Sequence, residues 1–300
     1  MSALAVLWFF LIFVLIAGYF LLDGFDLGVG VLYRALAKDE RERALVRRSI
    51  GPVWDGNEVW LLTAGGALFA AFPAAYATTF SGFYLAVMLV LFGLIVRAVS
   101  LEFRAHDPQW ARAWDVCFTV GSLLPALLLG VALGNVIAGI PMAANGDYAG
   151  VPLLGLLSPF TLVAGLLGLA MCLSAGAAWV ALKAPAGSAV HKRAAKLRVP
   201  CQVAALVLFA VATVLAFAVV KPVFAPGMLA AGVIIALVFL ACVVASIVLG
   251  HKGNDLVAFL LQSAAAACLV ALAAVTLFPN LVVAAPGSVG ASITLMSEAS

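Results

Sequence analysis

The sequence predicts an all-α, polytopic membrane protein, and three observations carry that reading. Of the 300 residues, 66% are hydrophobic and only 10% are charged. The apolar residues gather into eight long runs, at roughly 4–33, 53–75, 78–103, 114–138, 153–182, 199–220, 227–250 and 256–279. Each is near the ~20 residues that a helix rising about 1.5 Å per residue needs to cross a hydrocarbon layer of about 30 Å. Lys and Arg fall almost wholly into alternate connections between the runs, as positive-inside topology requires.

The first run opens with AVLWFFLIFVLIAGYFLL, residues 5–22, which carries no charge. No basic segment precedes it and it continues into DGFDLGVG, so it is expected to stay as a spanning helix rather than to act as a cleaved signal. Gly24 and Gly28, with Gly30 beyond, form a small-residue face that lets another backbone approach closely. The second run opens at GPVWDGNEVWLL, residues 51–62. Counting about 20 residues back from Pro73 places Asp55, Asn57 and Glu58 inside the inner leaflet rather than in the loop. The third run carries Arg97 near its inner end, and Glu102 and Asp115 flank the same level.

The connection from Arg34 to Arg48 holds six basic residues, that from Arg97 to Arg112 three, that from Lys183 to Arg198 five, and the loop after the seventh run one, Lys252. Lys221 alone lies on the other side, and neither loop 139–152 nor the stretch after Pro279 has any. Eight transmembrane helices with both ends non-cytoplasmic follow from this distribution. The connections are too short for a soluble domain. The net charge of +3 reflects topology and does not imply a nucleic-acid partner. The six Trp mostly flank the runs, which suits interfacial anchors facing the lipid bilayer. Cys117, Cys172, Cys201, Cys242 and Cys268 fall singly on apolar segments, without the paired spacing of zinc, iron–sulfur or redox sites, and read as packing residues.

An ionisable group at membrane depth costs about 2.5–3.5 kcal/mol on insertion scales, so each such acid calls for a reason. Pro52 suits the first position of a helix, and Asp55 then lies in a first turn where the helix dipole favours an anion. Asp55 and Glu58, three residues apart, are expected on one stripe, with Asn57 turned away toward Trp54. Asp23 and Asp26 form a second such pair near the inner end of the first helix, where the dipole disfavours carboxylates, so they have no capping role. Arg97 reads as their counter-charge, the alternative being a side chain that snorkels to headgroups. The later runs carry almost no charge, and the outer halves offer chiefly Asn135.

These acids describe an inlet that stops halfway, which suits proton delivery from the cytoplasm to a reaction centre in another subunit. A stand-alone transporter or ion channel with an intramembrane carboxylate site is the rival, and a purely structural anchor the third reading. His106, His191 and His251 fall in loops or at span ends, so none is placed for axial haem ligation within the membrane. Met88 and Met171 read as packing residues. No nucleophile–base constellation, phosphate loop or metal cluster is visible.

Four motifs, DGFDLGVG at 23–30, WDGNEVWLLTAGGALFAAFP at 54–73, FSGFYLAVMLVLFGLIVRAVSLEFR at 80–104 and GN at 134–135, resemble subunit II of the cytochrome bd-type quinol:oxygen oxidoreductases. The match is specific over the first 140 residues and looser beyond, where LFPN at 277–280 follows the family. The resemblance implies a partner, subunit I, that binds two b-type haems and a d-type haem, oxidises quinol and reduces oxygen to water. It implies a haem-free subunit II that scaffolds subunit I and carries a cytoplasmic proton path. By motif, Asp55 and Asp26 line that path with Arg97 nearby; Glu58 and Asp23 extend it by geometry. The setting is a prokaryotic plasma membrane, with room for a small accessory subunit. Some members hold a structural quinone in subunit II, which the sequence does not place. The family's two four-helix bundles correspond to residues 1–140, with DGFD and WDGN, and 141–300, with the external tail; its usual ninth helix is read as absent.

Overall fold

A computed structural model describes residues 2–297. Each of the eight apolar runs folds as helix, and two shorter helices lie among them. α1 (Ala3–Leu36) starts at Ser2, whose side chain accepts the Ala5 N–H. α2 (Glu40–Ile50) lies within the basic connection between the first two apolar runs. It is capped by Asp39, which accepts the Glu42 N–H at 2.9 Å, and it buries only Val46 and Ile50. Its acids stand in the first turn and Arg47 and Arg48 in the last, complementing the helix dipole. Charge this dense hides a helix from hydropathy.

The second and third runs divide differently from their expected bounds. α3 (Trp54–Ala71) stops short of residue 75, α4 (Pro73–Gly82) is a separate helix, and α5 begins at Tyr84 rather than 78, running to Phe103. Pro73 is the cause, because it has no N–H to donate and pushes the preceding residue out of helical geometry. Phe72 sits at φ −142°, ψ 72°, and Pro73 then opens α4 where its missing N–H costs nothing. The remaining helices are α6 (Ala111–Ala138), α7 (Pro159–Lys183), α8 (Ala189–Leu215), which ends in a π-helical turn at Ala216–Val220, α9 (Met228–His251) and α10 (Asp255–Leu277).

Among the described residues seven helices are long and apolar enough to cross a membrane: α1, α5, α6, α7, α8 with its π turn, α9 and α10. The expected eighth, α3, falls short because its first turn is WDGNE.

α1 and α7 are the central helices. α1 packs on α3, α6, α7 and α10, and α7 on α6, α8 and α10, while α5 pairs with α6 and α9 with α10. Backbone-to-backbone crossings set these relations, one of them between α6 and α7, where a Cβ on Gly130 would lie 2.8 Å from the Ala164 carbonyl oxygen. Where α1 meets α7, a Cβ on Gly28 would lie 1.8 Å from the Cys172 carbonyl oxygen, and one on Gly176 2.5 Å from the Gly28 carbonyl carbon. Gly24 faces the Cys172 thiol on the same side, and Gly30 faces Ser122 of α6, so the small face of α1 is a packing face. Where α5 meets α6, a Cβ on Gly121 would lie 2.7 Å from both the Gly93 carbonyl oxygen and the Arg97 nitrogen. The α5–α6 crossing presses Arg97 into the protein.

At the end away from α2, loop 139–157 and the segment after α10 form a small lid. β1 (Asn280–Val282) and β2 (Ile293–Thr294) pair antiparallel, and the Ile140 N–H donates to the Val283 carbonyl at 2.9 Å. Ile140, Met142, Val282 and Leu295 cover Phe9 and Ile12 of α1. Trp179 departs from the interfacial-anchor reading: it stacks on Phe25 at 4.3 Å and its indole N–H donates to the Ser49 carbonyl at 3.0 Å, tying α7 to α1 and α2.

The α1–α7 crossing admits no side chain, so Gly28→Val should abolish the folded protein or sharply lower its thermal midpoint in detergent. Gly66→Ala on α3, where an added Cβ meets nothing within 4 Å, should leave that midpoint unchanged.

Candidate functional site

The α5–α6 crossing leaves Arg97 fully buried in the angle between α1, α3 and α5. Its Nη2 donates to Asp23 Oδ1 on α1 at 2.6 Å and to Glu58 Oε1 on α3 at 2.7 Å. One turn further along α1, Asp26 is also buried, and its Oδ2 accepts from Asn57 Nδ2 at 2.8 Å. The same Nδ2 donates to the Leu22 carbonyl at 3.1 Å. One guanidinium thus stands among three carboxyl groups. It contacts two of them directly, Asp23 and Glu58, and Asp26 is held instead by the Asn57 amide.

Four of the five site residues read from the sequence therefore converge: Asp23, Asp26, Glu58 and Arg97. Arg97 is a counter-charge and does not snorkel. Asp55 stands apart: it is exposed, and its Oδ1 accepts the neighbouring Gly56 N–H, at 2.8 Å. The expected phase of α3 is corrected here. Its buried stripe runs through Asn57 and Ala64, with Leu61 between them packed on the core. Asn57, expected to turn away, therefore faces the cluster, and Asp55, about 200° around the helix from it, faces out. Glu58 flanks that stripe with 28% of its side chain exposed.

Asn57 is the residue that sequence reasoning missed, because its direction was assigned relative to the acids rather than to the apolar residues at i+4 and i+7. Tyr19 was also missed; it is buried one turn before Asp23 on α1. Asp115 pairs with Arg104 and Arg43, while Glu102, expected at its level, offers its carbonyl to His106.

A second ionic network straps α2 down. Arg104 donates from Nε to Asp115 at 2.8 Å and from Nη2 to both oxygens of Glu40, at 2.9 and 2.8 Å. Arg193, at the start of α8, pairs with Glu42 at 2.5 Å and donates to the Leu36 carbonyl at 2.8 Å. Arg47 donates to the Tyr33 hydroxyl. Desolvation pushes the Glu40 carboxyl up, but the hydrogen bonds and charges of Arg104 and Arg43 together outweigh it and hold the group below its ordinary value. The Arg193 hydrogen bond, with that from the Lys38 N–H, does the same for Glu42.

The second half of the chain carries a polar cluster that a search for charge overlooks. Gln202 donates to Ser246 at 2.8 Å and to Gln262 at 3.1 Å, and Gln262 donates to Ser174 at 2.6 Å, all four side chains fully buried. Toward the α8 start, Arg198 and His191 share Asp255, at 2.8 and 2.9 Å. An apolar cavity of about 350 Å³ lies beside this cluster, lined by residues such as Phe20, Gly130, Met171, Phe209 and Phe217. Its only hydroxyls, Thr213 and Thr276, donate to carbonyls of their own helices. Among the described residues no three His, Cys, Asp or Glu side chains are grouped to hold a metal ion.

The sequence profile of cytochrome bd terminal oxidase subunit II matches residues 4–300. Cytochrome bd-I ubiquinol oxidase subunit 2 of Escherichia coli K12 is 41% identical over 212 residues, 69% of this chain and 54% of that protein. The probable cytochrome oxidase subunit 2 of Haemophilus influenzae is 44% identical over 183 residues, 59% of this chain and 48% of that one. The chain thus spans about half the length of the curated relatives it matches. The bd oxidase of Geobacillus thermodenitrificans shares the fold, with a TM-score of 0.70 at 18% identity over 93% of this chain and 86% of that one.

Arg97→Leu should destabilise the protein by about 3–5 kcal/mol, because it strands buried anions, and adding Asp23→Asn should recover part of the loss; thermal melting of the two variants checks this. The strap on α2 should be acid-sensitive. Because the folded-state pKa values of Glu40 and Glu42 lie below their unfolded values, the stabilisation is complete above the ordinary carboxylate pKa and is lost as pH falls through the lowered values. Hydrogen-exchange protection factors of the α2 amides should drop over that acid range, and Arg104→Gln should produce a similar drop at pH 7.

Proposed function

The chain belongs to the cytochrome bd terminal oxidase subunit II family, and on that premise we propose that it is the haem-free subunit of a quinol:oxygen oxidoreductase. In this reading it scaffolds a haem-bearing subunit I and supplies that subunit with cytoplasmic protons. The observation that carries the proposal is the buried cluster of Asp23, Asp26, Glu58 and Arg97, with Asp55 left outside it. An acid facing lipid is costly, so the exposed face of α3 that bears Asp55 is assigned to the interface with subunit I. Asp55 receives a proton at that interface. Glu58, one turn on and still partly exposed, passes it inward, and Asp23 and Asp26 hold it at depth.

The same assignment explains how α3 spans the bilayer. Its polar first turn is shared between Arg97 and the partner, so its low hydropathy is no obstacle. The chain then has eight transmembrane helices in two four-helix bundles, residues 1–140 and 141–300, with both ends non-cytoplasmic. The Lys and Arg of α2 and of the connections after α5 and α7 support that orientation in a prokaryotic plasma membrane.

The b-type and d-type haems belong to subunit I, where they supply the redox chemistry of quinol oxidation and oxygen reduction. This chain's own histidines support that division: His191 is engaged with Asp255, and His106 lies in a loop. A structural quinone, if held in this subunit, would find in the α7–α10 cavity a lining suited to its hydrocarbon tail, where the Thr213 and Thr276 hydroxyls already donate within their own helices. A small accessory subunit is compatible with the exposed apolar helix faces. Membership of an oxidase family weighs against the stand-alone transporter or channel.

In the assembled complex Asp55→Asn should lower quinol-driven oxygen consumption by roughly tenfold while leaving the haem absorbance spectrum intact. Wild-type turnover in that variant would overturn the proton-supply role, and a preparation with no haem-bearing companion would overturn the oxidase assignment.

A further inference from the structure

Asn57 does more than fill the space between α1 and α3. Its amide nitrogen spends its hydrogen-bonding capacity on two acceptors, the Leu22 carbonyl at 3.1 Å and Asp26 Oδ2 at 2.8 Å. The Leu22 carbonyl has no proton to give, so it fixes the orientation of the amide. With the amide flipped, the Asn57 oxygen would face that carbonyl, two acceptors in contact, and the buried site would lose a hydrogen bond. The NH2 group therefore always points at Asp26, and Asp26 Oδ2 always accepts. Asp26 Oδ1 has no hydrogen-bond partner among the described residues.

Resting on the proton-supply reading above, we propose that Asn57 is a positioning residue that assigns the transferred proton to a single oxygen of Asp26, Oδ1. On uptake the Oδ1–H bond forms as the donor's bond to that proton breaks, and Oδ2, which accepts the Asn57 hydrogen bond before and after, becomes the carbonyl oxygen of the acid. On release the same Oδ1–H bond breaks and the proton passes to the next acceptor. A carboxyl free to rotate would present its proton in either of two directions. Pinned at Oδ2, it presents the proton in one.

Asp23 is arranged by the same logic. Arg97 holds its Oδ1 at 2.6 Å, and its Oδ2 has no hydrogen-bond partner among the described residues. The two neighbouring acids on α1 thus each have one oxygen anchored by a donor from another helix, and the Tyr19 hydroxyl, one turn earlier, stands beside Asp23.

The test uses infrared difference spectra of the whole oxidase complex, with the protonated-carboxyl band of Asp26 identified by its loss in Asp26→Asn. In the wild type that band should lie below the range of a carboxyl whose carbonyl accepts no hydrogen bond. In Asn57→Leu, which keeps bulk and removes the donor, it should move to higher wavenumber, and oxygen consumption should fall roughly tenfold with the haem spectrum unchanged. An Asp26 band at the free-carbonyl position in the wild type would overturn the assignment, and this arm stands even if no Asn57 variant assembles. An unmoved band and full turnover in Asn57→Leu would overturn it too. Full turnover in Asp26→Asn would instead remove the proton-supply reading itself. Slow turnover in Asp26→Asn with wild-type behaviour in Asn57→Leu would overturn the positioning role alone.

Discussion

The arrangement of the first half of the chain depends on one requirement, that a guanidinium with no access to water be neutralised where it lies. Arg97 cannot shed its proton under ordinary conditions, and its head is enclosed, so at least one anion must be brought to it, and α1 and α3 each present a carboxyl group. Asp23 and Glu58 meet the same Nη2 atom from opposite helices, which fixes the rotation of α1 and α3 about their own axes. Asn57 is adjacent to Glu58 on α3, so the rotation that seats Glu58 against Arg97 also turns Asn57 onto Asp26. The second contact is a geometric consequence of the first.

Such a cluster is a poor choice for stability alone. Replacing a buried ion group by packed apolar side chains is often neutral or favourable, whereas removing one member is costly. An apolar core would have served a pure scaffold, and residues such as Leu27, Val90 and Leu94 make such a core nearby. Keeping three acids and an arginine among them is consistent with a role that needs charge and exchangeable protons. The glycine crossings make the arrangement affordable, because α6 approaches α5 closely enough at Gly93 and Gly121 to enclose Arg97 from behind.

Apolar runs survive in the sequence wherever hydrophobic burial and lipid exposure ask for the same residues, so the helical class and the positions of eight helices were legible. The misses have local physical causes. α2 buries two residues and exposes its charges, so its helicity rests on a cap and on pairing with Arg104 and Arg193. The break at Phe72 was missed because Pro73 was taken as the end of a helix when it is also the beginning of the next. In the site, Asp23, Asp26, Glu58 and Arg97 were legible because charge at membrane depth is rare. Asn57 was not, because an amide carries no such cost and its direction depends on the i+4 and i+7 neighbours Leu61 and Ala64. Trp179 likewise could not be told from an interfacial anchor until Ser49 and Phe25 were seen beside it.

The α1–α7 crossing, one of the places where the two halves of the chain meet, lies at Gly28 and Gly176, and Asp26 and Ser174 each lie two residues before the glycine there. On the α1 side the polar cluster contains acids and a guanidinium; on the α7 side it contains Gln202, Ser246, Gln262 and Ser174, which hydrogen-bond one another without a formal charge. Amides and hydroxyls lock helices together at any ordinary pH, but they do not take up and release protons as carboxyl groups do. The buried carboxyl groups Asp23 and Asp26 therefore lie on one side of the α1–α7 contact and the buried amides on the other. The side so equipped is the one whose third helix turns an acid, Asp55, outward. The helix that turns Asp55 outward and the helix that brings Asn57 to Asp26 are the same helix, and the residues that do so, in WDGNE, are what lower the hydropathy of α3.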